Sequence, residues 1–282
     1  MAELTVIFIA DVVGKPGRHI LSQMTRRLAF KHGADFVVAN TENAAGGYGI
    51  TPEMAKKVFA YGINCQTSGN HIWDRLAILE YIATEPRLIR AANYPDAPGN
   101  GWYIDETEKG KIAVISLMGR TYMHGSMHCP FRTADTILDK IAPECDAILV
   151  DMHAEATSEK QAMGYYLDGR VSAVIGTHTH VQTADETISE RGTAYITDIG
   201  LTGAHDAILG MNKGPALGRF LSGMPKRLSV SDSDVRLDGV VLKIDLADEG
   251  RALSIERFSQ SLDQSMPLKD PEEVIEDAGE AD

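Results

Sequence analysis

Leu4-Thr5-Val6-Ile7-Phe8-Ile9-Ala10-Asp11 is the stretch that decides the fold. It is a short β-branched run that stops on a carboxylate, and it predicts a strand over residues 4–10. Gly14, Pro16 and Gly17 follow and read as a loop. Residues 19–31 then carry helical spacing, with Ile20, Met24, Leu28 and Phe30 as apolar contacts. The next apolar run, 36–39, is a buried-strand candidate that ends at Asn40, with Glu42 and Asn43 just beyond it.

The same strand–loop–helix grammar repeats outward from there. After the Gly-rich turn 44–50, Thr51-Pro52-Glu53 reads as a helix cap with Pro in the first turn, and predicts a helix to about Tyr61. Strands are predicted over 63–67, 88–91, 111–117, 147–150, 173–175 and 194–197. Asp74 is placed to cap a helix over 76–83, and 159–167 reads as another helix. Strands alternating with helices predict α/β architecture. Residues 239–246 and 252–258 change the pattern: they alternate with period two and have no helix between them, which predicts an antiparallel pair at the edge of a mixed sheet. Asp248 to Arg251 supplies the turn between them, and 202–229 is Gly-rich and is expected to cover one end of the domain. Residues 1–265 are expected to form a single domain. Seven of the thirteen residues from Asp270 to Asp282 are acidic, so 266–282 is expected to be a flexible tail.

Composition narrows the function. The formal net charge of -13 argues against an extended DNA or RNA surface, which needs accumulated Lys and Arg. A small phosphate ligand stays compatible, because bound cations invert the local field. Cys65, Cys129 and Cys145 are too few and too scattered for a disulfide framework or a zinc cluster. Buried thiols are expected at Cys65 and Cys145, and a more exposed one at Cys129. The N-terminus lacks the basic start and long apolar core of a signal peptide, and no run reaches the roughly 18 apolar residues of a membrane span. A soluble, cytoplasmic protein without a membrane partner is the expectation. No nucleotide-binding P-loop, dinucleotide fingerprint or G-x-S-x-G elbow is present, so no organic cofactor is expected.

Chemistry gathers at the strand ends. Asp11, Glu42, Asn70, His153 and His178 each fall at the C-terminal end of a predicted strand, the edge where open α/β sheets bind ligands. Carboxylate, imidazole and amide oxygen suit Fe, Mn, Zn and similar ions. Two ions about 3.5–4 Å apart can clamp a phosphoryl group and activate water. Glu42 is the candidate bridge, with Asn43 beside it. His178 and His180 form an H-x-H pair; in an extended segment both rings would face one side. A lone H-x-H is often an ordinary surface loop, but Asp151-x-His153 and Gly69-Asn70-His71 reduce that reading. His71 is the candidate catalytic residue, placed to donate a proton to the leaving oxygen or to stabilise charge on the phosphate, since imidazole titrates in a range that suits either role. His19 and His32 are expected to be structural, and His124, His128 and His205 lie in loops without metal-ligand spacing.

Seven stretches together resemble the calcineurin-like metallophosphoesterases, and more narrowly the bacterial YmdB-type phosphodiesterase family. They are residues 8–17, 40–51, 68–74, 117–121, 150–160, 176–185 and 197–203. The wider superfamily usually opens on D-x-H and bridges its metals with Asp. Here Asp11-Val12-Val13 lacks that His, and the matching acid is Glu42; both departures fit the narrower family. The resemblance implies a four-layer α/β/β/α sandwich with two mixed sheets. It implies one metal on Asp11, Glu42, Asn43 and His180, a second on Glu42, Asn70, His153 and His178, and His71 as the catalytic histidine. It further implies two divalent or mixed-valence ions, Fe or Mn, small phosphodiesters or cyclic nucleotides (2',3'-cyclic species among them) as substrates, and a homo-oligomer. Two rivals stand beside it: a regulatory or interaction protein that keeps the metal site, and another metal-dependent hydrolase, such as an amidase or a phosphatase.

Overall fold

The alternation in the sequence becomes two sheets. The computed structural model describes residues 3–261. In chain order its first elements are β1 (Glu3–Ile9), β2 (Asp11–Val12), α1 (Gly14–His32), β3 (Phe36–Asn40), α2 (Pro52–Ala60), β4 (Cys65–Thr67) and α3 (Ile78–Ile82). Then come β5 (Trp102–Glu106), β6 (Lys111–Met118), α4 (Pro130–Ile141), β7 (Ala147–His153), α5 (Thr157–Tyr166), β8 (Ala173–Thr177), β9 (Thr187–Ile188) and β10 (Ala194–Ile196). The last are β11 (Leu201–Ala204), α6 (Lys213–Ser222), β12 (Val235–Asp245) and β13 (Arg251–Ser261).

One sheet runs β2-β11-β12-β1-β3-β4, with β13 on the other side of β12; the second runs β5-β6-β7-β8-β10-β9. Both mix parallel and antiparallel pairs. The period-two geometry of β1 explains the layering. Leu4, Val6 and Phe8 join Ile112, Val114, Leu149 and Ile175 of the other sheet in the central core. Ile7 and Ile9 point the other way, onto Ile20, Leu21 and Leu28 of α1. On the far face of the second sheet, Ile115 and Val150 pack against Ile137 and Leu138 of α4 and Met163 of α5. Helices thus cover both outer faces, which is the expected α/β/β/α sandwich.

Several local expectations are corrected. Helix α1 starts at Gly14, not at 19, because Pro16 falls in the first turn, where no intrahelical N–H bond is lost. The backbone of β11 runs close beside it: a Cβ on Gly17 would lie 2.3 Å from the Thr202 carbonyl oxygen. The 88–91 strand shrinks to a single bridge between Gln66 and Leu88. Asp74 caps no helix; it ends a short 3-10 turn (Ile72–Asp74), and α3 is shorter than predicted. Strand β12 is interior, bonded to β1 and β11 along one side and β13 along the other, so β13 alone forms that edge. Region 202–229 contains a strand and a helix. Strand β5 and helix α4 escaped the sequence reading, although Ala134, Ile137, Leu138 and Ile141 carry helical spacing. Thr51 does cap α2, its hydroxyl accepting from the Met54 N–H at 3.4 Å. Cys65 is buried, while Cys129 and Cys145 are both half-buried, and all three are free thiols. Among the described residues no helix is long and apolar enough to cross a membrane. The acidic stretch 266–282 lies outside the described residues.

Candidate metal centre and active-site cavity

The strand ends converge as the sequence suggested. Asp11 opens β2, Glu42 lies two residues past β3, Asn70 three past β4, His153 closes β7, and His178 follows β8. Asp11, Glu42 and His153 are fully buried. Among the described residues, Glu42, His153 and His178 form a group close enough to hold one cation.

The hydrogen bonds around His153 fix its orientation. The Thr177 hydroxyl donates to Asp151 Oδ1 at 2.7 Å, so its oxygen accepts from His153 Nδ1 at 2.9 Å. Asp151 also accepts from the Thr67 hydroxyl and from Asn40 Nδ2. His153 Nε2 is thereby turned toward Asn70 Oδ1 at 3.0 Å, Glu42 Oε1 at 3.1 Å and His178 Nδ1 at 3.1 Å. His178 Nε2 meanwhile faces Glu155 Oε2 at 3.2 Å, which leaves Nδ1 as a lone-pair atom. Acceptor-type atoms packed this closely, away from water, repel one another unless positive charge sits among them. Such support behind a ligating imidazole is typical of metal sites.

Electrostatics agree. Burial opposes charge on Glu42, yet His153 and His71 pull its carboxyl down to about 2. Burial also opposes charge on His153, yet Glu42 pushes it up to about 9. Burial and the His153 charge drive His178 down to about 3, so the cluster favours one positive charge and refuses a second proton.

Asp11, Asn43 and His180 lie next to this cluster. Asn43 Nδ2 lies 3.3 Å from Glu42 Oε1 and 3.2 Å from His180 Nε2. Asp11 Oδ2 accepts from the His178 N–H at 3.0 Å, while Oδ1 is buried with no hydrogen-bond partner among the described residues. Burial, with Glu42 and Asp198 nearby, raises the Asp11 carboxyl well above the usual range. An orphaned buried carboxylate oxygen is an acceptor that positive charge satisfies, and carboxylate, amide and imidazole donors suit hard or borderline ions.

The H-T-H segment is not extended as expected. His178 (φ 102°) and His180 (φ 61°) are both left-handed; His178 Nδ1 reaches His153 Nε2, while His180 Nε2 reaches Asn43 Nδ2. Such residues cost of order 1–3 kcal/mol each and persist only where the surroundings hold them. Asp198 does the holding: Oδ2 accepts from the Thr179 N–H at 2.9 Å and hydroxyl at 2.8 Å, and Oδ1 from the Gly200 N–H at 2.9 Å. Asp198 is balanced by Lys160, fully buried at 2.8 Å. The sequence reading missed Lys160, Asp198 and Thr177; a Lys that falls inside an apolar helical stripe was the available signal. Gly69 is also required, since a Cβ there would lie 2.1–2.2 Å from the His153 ring.

A cavity of about 690 Å³ opens over the centre, lined by Glu42, Asn43, His71, His178 and His180. His71 Nδ1 donates to Asp74 Oδ2 at 2.8 Å; the ring meets Tyr48 edge-on at 5.0 Å, and the backbone N–H goes to Glu42 Oε2 at 2.9 Å. Loop 44–50 reaches the cavity through Gly47 and Tyr48, and the segment after β11 through Ile208, Leu209 and Met211. Loop 119–132 supplies no residue to the described lining, so His124 and His128 lie elsewhere. His205 is bonded to Asp238 at 2.9 Å, also outside the lining.

Comparison with known proteins matches residues 7–258 to the family described as YmdB-like protein. The chain is 43% identical over 256 residues to a 2',3'-cyclic-nucleotide 2'-phosphodiesterase of Bacillus subtilis (strain 168), covering 90% of this chain and 96% of the relative. A hypothetical protein of Thermus thermophilus superposes with a TM-score of 0.86 at 35% identity, over 92% of this chain and 100% of that one. A novel phosphatase from Mycoplasma pneumoniae gives 0.87 at 31% identity, over 96% and 99%. With the sandwich, the acceptor cluster and these likenesses together, the chain belongs to the YmdB-like family of the calcineurin-like metallophosphoesterases, metal-dependent enzymes that hydrolyse phosphoric esters.

Proposed function

We propose that this chain is a dinuclear phosphodiesterase of small substrates, with 2',3'-cyclic nucleotides as the substrate class, and that residues 1–265 act as one catalytic domain. The observation that carries the reading is the convergence of Glu42 Oε1, Asn70 Oδ1 and His178 Nδ1 on His153 Nε2, with the orphaned Asp11 Oδ1 on a carboxylate bonded to the His178 N–H. Asp11, Glu42, Asn43 and His180 would hold one ion, and Glu42, Asn70, His153 and His178 the other. Fe or Mn suits these donors. Bound there, such ions supply Lewis acidity toward the phosphoryl oxygens and a more acidic water. The printed name of the 43% identical relative from Bacillus subtilis supports the choice of substrate.

The protein's own groups divide the remaining work. His71 is the catalytic residue: Asp74 engages its Nδ1 and orients the ring, leaving Nε2 to hold or deliver a proton at the leaving oxygen. The buried Asp151–Thr177 pair keeps the His153 Nδ1 proton away from the centre. Asp198 fixes the turn that aims His178 and His180. The test is turnover of 2',3'-cyclic AMP and bis-p-nitrophenyl phosphate by chain loaded with Mn, or with Fe under anaerobic conditions. Hydrolysis of both, abolished by a chelator, is expected. Full metal occupancy without hydrolysis of either would overturn the reading in favour of a non-catalytic, regulatory protein.

A further inference from the structure

The cavity has two chemically different walls. One is the polar centre; the other comes from the excursion between β11 and β12. Leu209, Phe220 and Met224 line that second wall and are 51%, 81% and 64% exposed. Single exposed apolar residues need no explanation, but a contiguous set facing a candidate active site does. The excursion is pinned at its base, where Asn212 N–H donates to the Ser229 carbonyl at 2.9 Å and Asn212 Nδ2 to Ser229 Oγ at 3.0 Å. Within α6 only Ala216 is buried, so packing does not account for the apolar side chains around it. Leu209 ties the two walls together: its carbonyl accepts from His180 Nδ1 at 3.4 Å, and its side chain lines the cavity.

We propose that Leu209, Phe220 and Met224 form the nucleobase-binding wall of this cavity, selecting nucleoside phosphodiesters over small alkyl ones. The inference rests on the phosphodiesterase reading above. A substrate whose phosphate sits at the polar end of the lining, beside His71, His178 and His180, must place its other end against the opposite wall, and that wall is mostly apolar. A cavity of about 690 Å³ lies within the range that binds small organic ligands. Flat heterocycles gain from stacking on aromatic and apolar side chains. Tyr48 adds a second aromatic ring to the lining. Arg219, the one Arg or Lys among the described lining residues, can stack on a heterocycle or donate to its edge.

The test uses the full, metal-loaded chain and two cyclic phosphodiesters, 2',3'-cyclic AMP and ethylene phosphate, which lacks a base. In the Phe220→Ala/Met224→Ala variant, kcat/KM for cyclic AMP should fall roughly 5- to 100-fold, mainly through KM. Ethylene phosphate turnover and metal content should be unchanged, and Phe220→Trp should keep the selectivity. Equal losses on both substrates would overturn the wall, as would no loss on cyclic AMP. A changed oligomeric mass with unchanged selectivity would assign the patch to a second copy instead, and would also overturn it. Wild-type protein that hydrolyses neither substrate overturns the phosphodiesterase reading itself; one that hydrolyses both without preferring cyclic AMP overturns the base wall alone.

Discussion

Glu42 and His153 stand at strand ends inside a sandwich, fully buried and held by a continuous set of hydrogen bonds, whereas Phe220 and Met224 stand across the same cavity on an excursion whose helix buries little more than Ala216. The first wall must keep acceptor atoms about 3 Å apart against their own repulsion, so it is built where neither backbone nor side chain can yield. The second has only to present apolar surface, and tolerates looser attachment. Preorganisation is concentrated where charge has to be held.

The largest effect should come from the first wall. Glu42→Gln removes the buried carboxylate beside His153 Nε2, the one proposed to bridge two ions. Turnover of a phosphodiester should fall roughly 10³-fold or more, with metal content reduced. Near-normal activity would break the contrast at its root.

Two glycines sharpen it. Gly69→Ala sets a Cβ against the His153 ring, at 2.1–2.2 Å, so thermal stability, metal content and turnover should all fall. Gly214→Ala in α6 meets nothing within 4 Å and should raise stability by up to about 1 kcal/mol, with the chemistry unchanged. Thermal melts and metal analysis of the pair read the difference directly.

Thr177→Val cuts the link between Asp151 and His153 while keeping the shape. Metal affinity or turnover should drop about 10- to 100-fold, as for other residues that orient a ligating histidine. A metal titration followed by steady-state kinetics checks it.

The smallest effect lies outside both walls. Burial lowers the His205 pKa, but the Asp238 carboxylate more than offsets this and holds it above the ordinary value. A histidine with a raised folded-state pKa stabilises fully below its unfolded pKa of about 6.5, and the contribution is lost as pH rises through the folded value. His205→Gln should therefore cost about 1 kcal/mol or less near pH 6, discounted for partial exposure, and nothing near pH 9. Melting temperatures of the two proteins across that range should converge as pH rises.

The same contrast sets what could be read from the sequence. The first wall is legible because strands end where apolar runs end, which places Asp11, Glu42, Asn70, His153 and His178 at one edge from the sequence alone. Their supports were harder to see. Thr177 and Asp198 act through geometry that joins β7, β8 and the segment after β10, and no local pattern announces it. The left-handed turn at His178 and His180 was hidden for the same reason: backbone strain is imposed by Asp11 and Asp198 from outside the segment. Around the second wall the pattern failed in both directions. Region 202–229 read as a Gly-rich cover, yet it holds β11 and α6, because an exposed apolar helix carries no stripe facing a core. In the sandwich itself, β12 read as an edge because period-two patterning reports one face of a strand and not the number of its neighbours.

Metal content per chain of anaerobically purified protein, measured beside its phosphodiesterase activity, tests the central claim most directly. The account predicts about two ions per chain, lost together with activity on chelation and restored together on adding Mn or Fe. A chain that binds no metal, or that hydrolyses phosphodiesters equally well without it, would contradict it.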